Sequence, residues 1–84
     1  MTLAVPTIHL NGTSRQELLD QLSDAVLALE RAIGKLQLAH PNARDYYPQG
    51  NEAFNVARDQ HFDRIERICK VRDELVFIAE ALPT

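Results

Sequence analysis

Cysteine is nearly absent: Cys69 is the single one in 84 residues. No intrachain disulfide and no cysteine-based zinc cage can form within one chain, which points to a reducing compartment. Lysine is scarce too, limited to Lys35 and Lys70, and the net charge is −3 with a pI near 5.5. Sequence-independent nucleic-acid binding usually needs a basic surface, so that class is disfavoured. No apolar run approaches the ~20 residues of a membrane span. Residues 1–10 are mildly apolar, but they lack a basic leading region and contain Pro6, unlike a signal peptide. A cytoplasmic protein that binds neither nucleic acid nor membrane is expected. His-Glu-x-x-His and a glycine-rich phosphate loop are also missing, and internal repeats are absent.

What the chain does contain is organised around residues 40–50, His-Pro-Asn-Ala-Arg-Asp-Tyr-Tyr-Pro-Gln-Gly, which hold both tyrosines. Pro41 and Pro48 fix their own φ and push the preceding residues out of the α region, so no helix can run through. A plain connection between helices needs only a few residues, and this one is longer. Hydrophobic content of 45% and charged content of 25% are those of an ordinary globular chain. At this length a single domain, 1–84, is expected, near the size where one core is marginal.

Residues 1–12 read as an extended arm. Thr7–Leu10 is rich in β-branched residues and Asn11-Gly12 is a turn signal, so Ile8 and Leu10 should share one face. Such a segment either lies on the helices or pairs with another copy. A helix is predicted over 14–39. Ser14 and Glu17 have capping-box spacing, and Leu10 is placed to staple onto Leu18 or Leu19. Acidic residues crowd the helix start while Arg31 and Lys35 lie near its end, which suits the macrodipole.

The apolar positions Leu18, Leu22, Ala25, Leu29, Ala32 and Leu36 alternate steps of four and three, a heptad seam. A second row, Leu19, Val26 and Ile33, runs beside it, while Leu27 and Leu38 fall off both. Gly34 costs about 1 kcal/mol against alanine, and a close helix approach would explain it. A second helix is predicted over 51–82 with Asn51 as N-cap. Its seam includes Phe54, Ile65, Ile68 and Leu75, interrupted by His61 and Arg72, and a flanking row is Phe62, Cys69 and Val76. Asp63–Arg67 and Glu66–Lys70 have i,i+4 ion-pair spacing.

The expected fold is therefore all-α: an antiparallel two-helix hairpin with an extended N-terminal arm. Two helices bury one seam each, so the extra rows call for packing into a homo-oligomeric helical bundle.

No catalytic constellation emerges. Asp59 and Asp63 share a helix face but His61 points away from both, so no metal site is expected. Cys69 sits among apolar neighbours and reads as a small buried hydrophobe. His61 and Arg72 either set helix register or line a pocket between subunits, and Arg72 can simply snorkel. The loop residues Arg44, Tyr46, Tyr47 and Gln49 are the best binding candidates, since tyrosine and arginine bring rigid contact area and hydrogen-bonding tips. The competing reading is that Tyr46 and Tyr47 plug the hairpin end while Arg44 and Asp45 pair locally. Arg58 could add charge beside the second helix's N-terminus. Antiparallel packing of two hairpins would bring His9, Asn11, Thr13 and Ser14 of one copy to that loop, a composite cleft suited to a nucleotide-like ligand.

The segments Ile8-His-Leu-Asn-Gly-Thr-Ser14 and Asn42-Ala-Arg-Asp-Tyr-Tyr-Pro-Gln-Gly50, joined by a leucine-rich helix, resemble a group of small helical proteins of unknown function encoded in tailed phages and bacterial prophages. The resemblance implies a protein of the bacterial host cytosol and carries no catalytic residues. Small phage proteins of similar plan include oligomeric sponges for nucleotide signals of host immunity, whose motifs this chain does not share. The function expected is non-enzymatic sequestration of a small phosphate-bearing ligand to counter host defence, without a cofactor. The alternative is an adaptor for a host protein, or a virion-associated scaffold, acting through Tyr46 and Tyr47.

Overall fold

The computed structural model describes residues 2–84; Met1, the first residue of the predicted arm, lies outside them. Two helices, α1 (Arg15–Leu38) and α2 (Ala53–Ala81), are joined by two short 3₁₀ turns, Ala43–Asp45 and Tyr47–Gln49. Among the described residues there is no strand, so the chain is an all-helical hairpin. It is long and thin, 62 × 24 × 16 Å, with a radius of gyration of 18.4 Å. A compact chain of this length would have a radius near roughly 12 Å.

α1 begins where Ser14 accepts the Glu17 N–H on its hydroxyl at 3.1 Å. One orphan donor of the first turn is thereby satisfied, while the Glu17 carboxylate makes no reciprocal bond among the described residues. At the other end the Ala39 N–H is shared between the carbonyls of Lys35 and Leu36. The Leu36 carbonyl also accepts a bond from His61 Nε2 of α2 at 2.5 Å. Because a carbonyl only accepts, Nε2 carries the proton. The polar interruption of the α2 seam is thus a side-chain cap on α1, and His61 is one of the most buried residues of the chain.

The helix seams have the predicted phase. Leu18, Leu22, Leu29 and Leu36 of α1 and Phe54, Ile65, Ile68 and Leu75 of α2 are half-buried, with Ile33 and Leu82 buried. Leu27 and Leu38 are exposed, as their place off both rows requires. Arg72 snorkels: its stem lies on the seam and its head reaches Asp73 at 2.9 Å. The hydrogen bond and charge of Asp73 push the Arg72 pKa above its usual value. Asp63–Arg67 at 2.9 Å and Glu66–Lys70 at 3.5 Å pair as their spacing predicts, each adding a few tenths of a kcal/mol.

Three local expectations are corrected. Leu10 is 99% exposed and staples nothing. A tight turn, closed by Gly12 N–H to His9 O at 3.1 Å, puts Leu10 at its corner and breaks the alternation that would have aligned it with Ile8. The turn falls where Asn11-Gly12 signals it, and Thr7–His9 form no strand among the described residues. Of the two courses open to the arm, it takes the one along the helices, with Leu3, Val5 and Ile8 half-buried and Thr2 and Leu3 bordering Asp73 and Phe77 of α2. The second helix starts at Ala53, not Asn51: its cap is Glu52, whose carboxylate accepts from the Asn55 side chain at 3.3 Å. Finally, no close approach accounts for Gly34, since a Cβ there would meet nothing within 4 Å.

Candidate functional site

The inter-helix loop does not stretch between its ends; it folds back on α2. Pro48, inside the second 3₁₀ turn, has its φ already set, and Gly50 then reverses the chain at φ 116°, a backbone that L side chains rarely adopt. The result is a cleft of about 490 Å³ between the loop, the end of α1 and the first three turns of α2. Tyr46 and Gln49 form one wall and Gln60, His61 and Arg64 the other, over a floor that includes Ala53, Val56 and Ala57. Val56, Gln60 and Arg64 follow at steps of four, so one helix face supplies an apolar base, an amide and a guanidinium in line. Arg58, Arg67 and Arg72 each hold a carboxylate partner, whereas Arg64 makes no ion pair among the described residues. The cleft therefore offers an unengaged cation, amide donors and acceptors, and the phenol and face of Tyr46.

Only part of the expected site gathers here. Tyr46 and Gln49 line the cleft. Tyr46 is half-buried against the hairpin end, while Tyr47 turns outward and is 73% exposed, so only one of the two tyrosines closes that end. Arg44 is exposed and forms no ion pair with Asp45 among the described residues. Arg58 lies on the other side of α2, paired with Asp59 at 3.2 Å and stacked over Phe54 at 5.9 Å. It borders an apolar depression of about 310 Å³ with Phe62 and Ile65.

His9, Asn11, Thr13 and Ser14 lie at the far end of α1, roughly 35 Å from the loop by helix rise. Two of them serve local structure: His9 closes the arm's turn, its ring against Gly12, and Ser14 caps α1. Gln60 and Arg64 were missed from sequence. Their step-of-four row with Val56 was readable, but it looks like a solvated face until the loop folds over it.

Among the described residues no three His, Cys, Asp or Glu side chains gather as metal donors, and no helix is long and apolar enough to cross a membrane. No known family, curated protein or solved structure matches the chain.

Proposed function

We propose that the protein is a non-enzymatic, homo-oligomeric binding protein whose loop-end cleft takes up a small phosphate-bearing, nucleotide-like ligand. The cleft at Tyr46, Gln60 and Arg64 supports this reading. Its volume, about 490 Å³, falls in the usual range for small-molecule sites. An unpaired guanidinium suits a phosphate, the Tyr46 ring suits a base, and the amides of Gln49 and Gln60 suit its edge. An antiparallel second copy would bring its own His9, Asn11, Thr13 and Ser14 to the loop end, beside the cleft and not within it, and Arg44 and Tyr47 would stand at the rim. In the phage or prophage setting implied by the resemblance, the role is sequestration of a nucleotide signal in the host cytosol. The test is mass spectrometry of small molecules released by denaturing the purified protein, followed by titration with adenosine and guanosine monophosphates. Binding that is lost in Arg64→Ala and Tyr46→Ala, with oligomer mass unchanged, supports the proposal. A protein that releases nothing and binds neither nucleotide nor inorganic phosphate refutes it.

One observation favours a second reading. Tyr47 is a large exposed side chain at the tip of an ordered turn, the placement of an interface anchor. An adaptor or virion scaffold would lose its protein partner in Tyr47→Ala while keeping all small-molecule behaviour.

A further inference from the structure

The two long sides of the hairpin differ in chemistry. One carries Gln60, Arg64 and Arg67 beside Leu36 and Ala39. The other is apolar over most of its length. There Val26 and Leu27 of α1 and Val76 and Ala79 of α2 line a groove of about 420 Å³, and the depression at Phe54, Phe62 and Ile65 lies further along. The spacing places both on one side: Phe62, Cys69 and Val76 are seven apart on α2, as are Glu30 and Gln37 on α1. Phe62 is 60% and Leu27 54% exposed.

The surface of the chain is 6440 Å². A compact monomer of 9.5 kDa would expose roughly 5,000 Å². The excess is larger than the roughly 800 Å² per partner that a standard interface removes. Charge then fixes the alignment. Glu80 borders the groove near the arm end, and Arg58 borders the depression near the loop end, whereas Glu30 lies at mid-length, beside Arg72. A two-fold, antiparallel second copy lays each Glu80 over the partner's Arg58, whereas a parallel copy sets like over like.

We infer that the Val26–Phe62 side is the face on which a second copy docks, as an antiparallel two-fold dimer centred near Cys69. Phe62 and Val76 lie seven residues to either side of Cys69, so a two-fold axis there superposes the two ends of the face. The half-buried Cys69 thiols of the two copies then approach each other across the axis. The opposite side, with Arg64 and Gln60, stays open to solvent. This inference rests on the oligomeric part of the proposed function and is independent of any ligand.

The experiment uses the whole chain, with light scattering for mass and a short bismaleimide for cross-linking. The wild type is expected at twice the 9.5 kDa chain mass, with a covalent dimer formed through Cys69 and abolished in Cys69→Ala. Phe62→Glu and Val26→Glu should give monomers, while Val71→Glu, on the other side, should leave the dimer intact. Because those core-flanking charges could unfold the hairpin, Arg58→Glu, at the rim of the depression, serves as a second variant. It should weaken the dimer at least tenfold and be rescued by adding Glu80→Arg. A dimer that survives Phe62→Glu but dissociates in Val71→Glu overturns the face. A dimer without Cys69 cross-linking overturns the alignment. A monomeric wild type overturns the inference together with the oligomeric part of the proposed function, leaving ligand binding to be decided by its own titration.

Discussion

Replacing His61 by leucine isolates the value of a single bond between the two helices. The ring is 7% exposed, and its Nε2–H reaches the Leu36 carbonyl at 2.5 Å. That carbonyl also receives the Ala39 N–H at 3.1 Å, so losing the ring leaves one of its two lone pairs engaged. The cost is then the net worth of a hydrogen bond, about 1 kcal/mol, and not the larger penalty of a wholly orphaned acceptor. Leucine fills much of the imidazole volume, so no large cavity adds to it. A domain of this length loses roughly 4–8 °C in melting temperature per kcal/mol.

His61→Gln, which keeps a donor on a similar reach, should fall between wild type and His61→Leu. His61→Ala, which removes both donor and volume, should be the least stable. Melting is followed by circular dichroism at one fixed chain concentration, because oligomerisation shifts the midpoint by mass action. Amide exchange at Ala39 and His40 should quicken in His61→Leu before the rest of α1 is affected. A leucine variant that melts at or above the wild-type temperature would mean that packing alone places the ring.

Three further substitutions test the backbone. Gly50→Ala forces a side chain onto φ 116° and should cost about 1–3 kcal/mol, read as a lower urea midpoint. An unchanged midpoint would mean the turn relaxes freely. Gly34→Ala should stabilise by about 1 kcal/mol, since the added methyl meets nothing within 4 Å; a loss would reveal another chain packed at that point. Ser14→Ala removes the α1 cap and should cost about 1 kcal/mol whether or not any ligand is bound.

The helical hairpin was legible because each helix repeats its apolar pattern over several turns, which fixed the phase of both seams and exposed Leu27 and Leu38. Pro41, Pro48 and Gly50 marked the connection, and Ser14 marked the first helix start almost to the residue. Features that depend on a partner far along the chain were not legible. His61 read as an anomaly on a seam because its acceptor, Leu36, lies 25 positions away. Leu10 read as a staple because alternation cannot show that a turn already begins at His9. The cleft was half visible: Tyr46 and Gln49 stood out by type, whereas Gln60 and Arg64 gain meaning only when the loop is laid against α2.

The bond from His61 to Leu36 sits one turn from the end of α1, next to the loop. It sets the longitudinal alignment of the two helices without help from the connecting segment. Sliding by a turn would break it and leave a buried ring without a partner. The loop is thereby released from acting as a ruler, and its length can drift while the helices stay in step. Closing a loop twice as long costs only about 0.6 kcal/mol. Two glycines inserted after Arg44 should leave the helix alignment intact, seen as unchanged exchange protection in α1, even as the cleft is lost. Loop variation would thus be a cheap route by which a chain of this plan changes what it holds at the hairpin end while keeping the hairpin itself.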